Sequence, residues 1–269
     1  MTLRLISCNC FDVSLINRRR AKKIRLLAKE LAYLAPDLLC LQELISHRHR
    51  RYMESLLTSQ GYRTVYTPNR MRTTAGGLFF ASRLPIVAHY FVPYAQQGIK
   101  MSMQLGDRLL TKGCQIVRVR AHHATFTIVH THMADVYNEH STRQRAIHHK
   151  QLTELGAIIS TLTPPLLLVG DLEERTGTSP YFRRLIKTTG LVDVTNHLPD
   201  RIQSTNTNVA YINAHSPIRE EPGKYDYILA SPSLQAAAAA ELIFIEPSRV
   251  GRHDEHLTDH YPLDLTLNL

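Results

Sequence analysis

Polar and ionisable side chains occur in five short segments, each at the end of a predicted β-strand. Carboxylates in such positions can bind a hard divalent cation, and histidines can transfer protons. Each segment alone is more typical of a turn or a helix cap, but five in one chain favour a shared site. The segments are Ser7–Asn9, Leu41–Glu43, His130–His132, Gly170–Glu173 and Thr258–His260.

Two strand–helix–strand units carry four of these segments. The first has strands at 3–9 and 38–42 around a helix at 19–35, and the second has strands at 125–130 and 166–169 around a helix at 139–160. Such a crossover makes the two strands of a unit parallel. Because ligands gather outside the carboxyl ends of parallel strands, the residues that close these strands are predicted to converge: Asn9, Glu43, His132 and Asp171.

The rest of the chain supplies further short elements. Strands are predicted at 77–82, 86–92, 113–119, 225–229, 242–246 and 262–267, and a short helix at 181–188. We interpret the run Ala236–Ala240 as a surface turn or an irregular strand. The polar segment 200–224 is too long for a plain connection, so it is either a functional loop or flexible. No inter-domain linker is visible, and residues 1–269 are predicted to form one domain.

The chain is basic, with 32 Lys+Arg against 23 Asp+Glu and a formal charge of +9. Clusters at 18–23 and 48–51 are either a solvated helical face or a contact for the phosphates of nucleic acid or anionic lipid. Trp is absent and aromatic residues make up only 7%, which disfavours stacking of bases. The apolar stretch Tyr90–Tyr94, with Ile99, Met101 and Met103, is either strand core or a surface that rests on a bilayer.

The cysteines and the lengths of the apolar runs indicate where in the cell the protein is expected. Cys8, Cys10 and Cys40 lie in or beside apolar runs, and with Cys114 they show no zinc-type spacing, so we expect reduced thiols and a cytoplasmic protein. No signal peptide is visible at the N-terminus. Apolar runs such as Leu166–Val169 are far shorter than the roughly 20 residues that span a bilayer. No transmembrane segment is expected, and any membrane contact would be peripheral.

The order of the five segments resembles the endonuclease/exonuclease/phosphatase superfamily of metal-dependent phosphoesterases. That family has Asn after the first strand, Gln-Glu after the second, a central His, Gly-Asp-x-Asn and a terminal Ser-Asp-His. Tyr225–Ile228 is similar to the strand that precedes the terminal motif, and the resemblance extends from residue 3 to residue 265. Four stretches resemble the neutral sphingomyelinase branch: Asn9–Cys10, Gly77–Ile86, Lys112–Gly113 and Thr131–Asn138.

The resemblance implies a deoxyribonuclease-like α/β fold, a four-layer α/β/β/α sandwich in which two mixed β-sheets pack face to face with helices outside. It also implies hydrolysis of a phosphodiester with Mg²⁺ as cofactor, Mn²⁺ or Ca²⁺ being alternatives. Glu43 is the expected metal ligand. Asn9 supports the metal or contacts a phosphate oxygen, and Asp259 binds metal or positions the phosphate side.

The remaining family positions imply proton-transfer and substrate roles. His260 is the expected general base, and Asp171 orients or deprotonates the attacking water. His132 stabilises charge on the phosphate or protonates the leaving group. Asp226 is either a strand-end cap or the carboxylate that fixes the tautomer of a catalytic histidine. Lys112 is either a plain surface lysine or, as in the sphingomyelinase pattern, a residue near the substrate.

One position departs from the family, because Glu173 stands where Gly-Asp-x-Asn has its Asn. An amide can donate a hydrogen bond to a phosphate oxygen, whereas a carboxylate only accepts. Glu173 therefore recruits a second cation, marks a changed substrate or reduces activity. Alternatively, the neighbouring Glu174 is the residue that points inward.

Three functions follow from these observations. The first is phospholipase C-like cleavage of a phospholipid such as sphingomyelin. The second is a nuclease, or a phosphatase of soluble phosphoesters, with the same fold. The third is a weakened member of the family that binds anionic partners.

Overall fold

The computed structural model describes residues 2–13, 19–65, 75–99, 110–121, 124–136, 140–175, 177–196, 198, 223–235, 237–243 and 246–268. In chain order the elements are β1 (Thr2–Asn9), α1 (Arg20–Leu34), β2 (Leu38–Gln42), α2 (His47–Thr58), β3 (Arg63–Val65), β4 (Phe79–Ser82), β5 (Ile86–Pro93), β6 (Gly113–Ala121), β7 (Ala124–His132), α3 (Thr142–Ser160), β8 (Leu166–Asp171), α4 (Pro180–Thr189), β9 (Val192–Asp193), β10 (Asp226–Ala230), α5 (Pro232–Gln235), β11 (Ala238–Leu242), β12 (Ser248–Val250), β13 (His253–Glu255) and β14 (Leu263–Asn268).

Two six-stranded sheets contain most of these strands. The first has the order β11-β14-β1-β2-β4-β3 and the second β5-β6-β7-β8-β10-β9. β1 and β2 are parallel, as are β7 and β8, while the other neighbours in both sheets are antiparallel. The two predicted crossover units are therefore confirmed, and each supplies the parallel centre of one mixed sheet.

Alternation of side chains along the strands sets the layers. On β1, Leu3 and Leu5 pack against the second sheet in one core, while Ile6 and Cys8 pack against α1 and α2 on the opposite face. Residues of β7 and β8 divide in the same way between the inter-sheet core and a third core under α3 and α4. Successive residues of a strand point to opposite faces, so each central strand joins two cores. The result is the expected α/β/β/α sandwich.

Two strand predictions in the C-terminal region need correction. The predicted strand at 242–246 is misplaced, because β11 ends at Leu242 and begins in the alanine run that we interpreted as a turn or irregular strand. Residues 244 and 245 lie outside the described residues. Its register pairs Ala238 with Leu267 of β14, so the ladder outweighs the weak strand preference of alanine. Of the polar segment 200–224, only 223 and 224 lie within the described residues.

The basic cluster at 48–51 is also only partly a surface feature. It lies on α2, which was not predicted, and both His49 and Arg50 are buried there, with the Arg50 guanidinium donating to the carbonyl of Leu44. Lys23 of the other cluster is buried and pairs with Glu255. Arg18, Met101 and Met103 lie outside the described residues. Lys23 and Arg50 are therefore not part of an exposed basic surface.

Two further predictions concern cysteines and apolar length. All four cysteines are buried and form no disulfide, as expected for core thiols. Among the described residues, no helix is long and apolar enough to cross a membrane.

Candidate active site

Side chains between the two sheets change from apolar to polar toward one edge. On β1 the inward positions run from Leu5 to Ser7 to Asn9, and on β7 from Ile128 to His130 to His132. β2 and β8 follow the same rule and end their inward rows at Gln42 and Asp171. Because these four strands end at one edge, the polar ends meet above the apolar core.

The lower polar layer joins the sheets beneath the site. Gln42 Nε2 donates to Ser7 Oγ at 3.1 Å and lies 2.9 Å from Nε2 of His130 across the inter-sheet gap. The other ring nitrogen of His130 is 3.3 Å from Oε1 of Gln115. Burial, followed by the nearby His132, lowers the pKa of His130 to about 3. The imidazole is therefore neutral and serves as a structural link.

Asp171 lies at the centre of the upper layer and is fully buried. Its carboxylate accepts hydrogen bonds from Asn9 Nδ2 at 3.1 Å and from the backbone N–H of Glu173 at 3.1 Å. Burial raises the pKa of Asp171, as does the nearby Asp226, while His260, His132 and Asn9 oppose that rise. The prediction that Asn9 and Asp171 converge is confirmed by direct contact.

Asp226 and His260 form a buried pair beside Asp171. Asp226 opposes Asp171 in the β10–β8 ladder, and its Oδ2 is 2.6 Å from Nδ1 of His260. Burial disfavours the imidazolium, but the carboxylates of Asp226, Asp259 and Asp171 outweigh it and raise the pKa of His260 well above its ordinary value. This contact favours tautomer fixing by Asp226 over the strand-end cap.

Glu43 points into the site from a left-handed backbone conformation, with φ of 51°. Its Oε1 is 3.8 Å from Nε2 of His132, whereas Oε2 is buried and has no hydrogen-bond partner among the described residues. Burial raises the pKa of Glu43 well above its ordinary value, and Asp135 and Asp259 add to the rise. A buried carboxylate oxygen without a partner, beside further carboxylates, fits a hard cation.

Asp259 and Thr258 bring the last strand to the same place. Asp259 is buried, and its charge raises the pKa of both Glu43 and His260. Thr258 Oγ1 donates to the carbonyl of Asn9 at 2.6 Å. The chain entering β14 is thus tied to the end of β1.

Lys112 is not a surface lysine, because it is fully buried in the site. Its Nζ lies 2.9 Å from Nε2 of His132, and Oδ1 of Asp135 is 3.4 Å from both nitrogens. The Lys-Gly pattern also has a steric reason, since a Cβ on Gly113 would lie 2.4 Å from the carbonyl of Val92. Asp135 received no role from the sequence, although it lies within the stretch that resembles the sphingomyelinase branch.

The two acids after β8 diverge. Glu173 has a φ of 53°, and its Oε1 is 3.9 Å from Nε2 of His132, so it faces the site. Glu174 instead accepts from the hydroxyl and backbone N–H of Ser179, the residue that caps α4. The alternative that Glu174 points inward is therefore wrong.

Polar residues on the inner side of α3 hold two site loops, and sequence reasoning missed them. Gln151 Oε1 accepts from the backbone N–H of Ala134 at 2.9 Å. His148 Nε2 lies 2.7 Å from the carbonyl of Leu172, and burial lowers the pKa of this histidine to about 4, so the neutral ring donates. Both share the helical stripe of the buried Leu152 and Leu155, and that spacing was the available signal.

Comparison with known proteins bears on the family and the fold of this chain. The sequence model of the Endonuclease/Exonuclease/phosphatase family matches residues 8–260. The inositol phosphosphingolipids phospholipase C of Schizosaccharomyces pombe is 23% identical, over 99% of this chain and 68% of that protein.

Two solved structures show the same fold. Sphingomyelinase C from Streptomyces griseocarneus has a TM-score of 0.78 and 17% identity, with 100% of both chains covered. TDP2 from D. rerio, complexed with a single-strand DNA product, has a TM-score of 0.71 and 17% identity, covering 100% of this chain and 99% of that one.

Gly77 fixes the position of Glu43, and its substitution provides a test. Gly77 has a φ of 74°, and a Cβ there would lie 3.0 Å from Cα of Glu43. We expect Gly77→Ala to cost the left-handed strain of about 1–2 kcal/mol and, in addition, to displace Glu43. Gly61→Ala is the matched control, because Gly61 also has a positive φ but an added Cβ meets nothing within 4 Å. Urea unfolding that shows equal losses for the two variants would contradict this account.

Proposed function

The chain belongs to the Endonuclease/Exonuclease/phosphatase family, and we propose that it is a metal-dependent phosphodiesterase that hydrolyses the headgroup of a phosphosphingolipid. In this phospholipase C-type reaction, water adds to phosphorus, the bond to the oxygen of the lipid alcohol breaks, and the headgroup keeps the phosphate. The observation that carries the proposal is the convergence of Glu43, Asp171 and the Asp226–His260 pair at one edge of the sandwich.

The cation site would be formed by Glu43 with Asn9, and Asp259 completes the acidic surroundings. Mg²⁺ suits this set, because it prefers oxygen ligands and is usually held by one or two carboxylates. When bound, the cation supplies positive charge that neutralises the phosphate oxygens. The partnerless Oε2 of Glu43 supports this assignment.

In this proposal the attacking water is activated by His260, Asp226 and Asp171. Asp226 occupies Nδ1 of His260, which leaves Nε2 to accept a proton from water. Asp171 orients that water. One oxygen of the Asp171 carboxylate accepts a hydrogen bond from Asn9 Nδ2 at 3.1 Å, which fixes the carboxylate in place. The carboxylates of Asp226, Asp259 and Asp171 stabilise the imidazolium that His260 becomes when it takes this proton.

We assign His132 and Lys112 to the leaving-group side of the reaction. Their nitrogens are 2.9 Å apart, so the ammonium of Lys112 can donate a hydrogen bond to Nε2 of His132. We assign this pair to the substrate phosphate and to protonation of the leaving oxygen. Asp135 keeps Lys112 in place through its contact at 3.4 Å.

Hydrolysis of defined vesicles tests this assignment. Asp171→Asn and His260→Ala should each lower kcat for phosphosphingolipid hydrolysis by about 100-fold or more, because each removes a group that handles the attacking water. Asp193→Asn is the matched control, since Asp193 pairs with Lys224 away from the site. Full hydrolysis by the site variants would refute the mechanism. Mg²⁺-dependent nicking of DNA that both variants lose, without lipid hydrolysis, would establish the nuclease instead.

Glu173 supplies a second cation site in this proposal. An oxygen of its carboxylate lies within 4.8 Å of a carboxylate oxygen of Asp171, and these two acids would hold the second ion. Retention of a carboxylate at the family's Asn position is then compatible with phosphate binding, because a cation offsets its charge.

Calorimetric titration with Mn²⁺ tests this role. Glu173→Asn should lower the number of bound ions and shift the metal dependence of activity while hydrolysis persists. Glu174→Gln should keep the wild-type stoichiometry, because Glu174 contacts Ser179 at the start of α4. Equal stoichiometry in Glu173→Asn and wild type would exclude Glu173 as a ligand.

The distribution of basic residues suggests how the site meets its lipid. Four helices begin at the site edge, since α1, α2, α3 and α4 follow β1, β2, β7 and β8, and none has an acid in its first turn. The helix dipole disfavours cations at these positions, so their placement gives no local stability. Among the described residues, seven cations within the first five helical positions are exposed and form no ion pair: Lys22, Arg48, Arg51, Arg143, Arg145, Arg183 and Arg184.

We propose that these seven cations, here called the basic rim, make a peripheral contact with an anionic bilayer. Each basic residue near such a surface contributes about 1 kcal/mol. Replacing Arg48, Arg143, Arg145 and Arg183 with Gln should therefore weaken binding to phosphatidylserine-containing vesicles by about 4 kcal/mol, or several hundredfold, without lowering Tm. The control variant replaces four exposed cations elsewhere, Lys29, Arg118, Arg120 and Lys187. Equal losses in vesicle cosedimentation would show that only net charge matters.

A further inference from the structure

A buried carboxylate outside the proposed catalytic set, Asp12, joins the loops that follow β1 and β2. The Asp12 side chain is fully buried. Its Oδ2 accepts from the backbone N–H of Ser46 at 2.7 Å, and its Oδ1 lies 2.7 Å from Nδ1 of His49 and 3.3 Å from Nε of Arg20. One side chain therefore connects the first loop to the starts of both α1 and α2.

The backbone around Asp12 contacts the segments that carry both proposed cation ligands. Asp12 N–H donates to the carbonyl of Glu43 at 3.2 Å, and Phe11 N–H donates to Oδ1 of Asn9 at 3.0 Å. Glu43 and Phe11 both have positive φ, at 51° and 48°. Non-glycine residues rarely adopt this conformation, and it persists only where surrounding contacts enforce it.

We propose that Asp12 is a positioning residue for the cation site: with His49 it fixes the loops that present Asn9 and Glu43. The inference rests on the proposed function, because it takes those two residues as ligands. A carboxylate is needed for this geometry, since one oxygen accepts from Ser46 while the other faces His49 and Arg20. An amide has only one acceptor oxygen, so Asp12→Asn can keep the contact with His49 only if the imidazole changes tautomer, and it loses the negative charge that faces Arg20.

Metal affinity separates positioning from plain structural support. Residues that orient metal ligands typically change affinity by about 10–100-fold when substituted. In calorimetric titration with Mn²⁺ alone, Asp12→Asn should raise Kd by about tenfold or more. In lipid hydrolysis at saturating Mn²⁺, its kcat and its KM for lipid should stay close to those of wild type, because the catalytic groups are intact.

Substitution of His49 gives a second route should Asp12→Asn fail to fold. His49→Asn retains a donor for Oδ1 of Asp12, so its Mn²⁺ affinity should stay close to wild type. His49→Leu removes that donor, and its affinity should fall. Loss of affinity in both His49 variants, or in neither, would overturn the proposal.

Asp264→Asn is the matched control for the loss of a buried charge. Asp264 is 3% exposed and pairs with Arg4, whose guanidinium also donates to Leu34 at the C-terminal end of α1. This variant should lower Tm and leave Mn²⁺ affinity unchanged. The proposal is overturned if Asp264→Asn weakens Mn²⁺ binding as much as Asp12→Asn, or if Asp12→Asn binds Mn²⁺ like wild type.

Different results would exclude the role of Asp12 and the proposed function. If the wild type hydrolyses lipid and binds Mn²⁺ but Asp12→Asn does both equally well, only the role of Asp12 is lost. If the wild type neither binds Mn²⁺ nor hydrolyses lipid, the proposed function is lost, and the role of Asp12 with it.

Discussion

Two sheets packed face to face exclude water only while their inward side chains are apolar. In this protein that condition holds along most of the sandwich and ends at one edge, where inward positions become Ser7, Gln42 and His130 and then Asn9, His132 and Asp171. The period of two along each strand forces these side chains into the gap between the sheets. The apolar core below fixes the spacing of the strands, and this spacing also fixes the positions of the polar side chains above.

The same packing makes the site dependent on charge compensation. Burial raises the pKa of both Glu43 and Asp171, and neighbouring acids raise them further. Carboxylates this close remain ionised together only when positive charge lies among them. Lys112 supplies part of this positive charge within the chain, and a bound cation would supply the rest. The basic composition of the chain is therefore compatible with an acidic interior, because exposed cations lie on the helices outside.

Much of this arrangement could be predicted from the sequence, because it depends on strand ends. Asn9, Glu43, His132 and Asp171 close buried strands, and a parallel crossover must bring such ends together. Lys112 and Asp226 were ambiguous, since burial decides their roles and the sequence does not display it. Glu173 and Glu174 are the same residue type, and the backbone conformation after β8 decides which of them faces the site.

Other features could not be predicted because their local sequence does not show the structure that they adopt. α2 carries His49 and Arg50 on its buried side, so its polar composition concealed its helical stripe. The alanines of β11 take their conformation from pairing with β14. Asp12 has no motif around it, and its contacts with Ser46 and His49 exist only once α2 is in place.

Anomalous diffraction from crystals soaked in Mn²⁺ and inorganic phosphate would test the central claim most directly. The account predicts a manganese peak beside Oε2 of Glu43 and Asn9, with a phosphate oxygen facing Lys112 and His132. A second peak is expected between Asp171 and Glu173. A crystal in which Glu43 contacts no manganese at a concentration that supports hydrolysis would contradict the account.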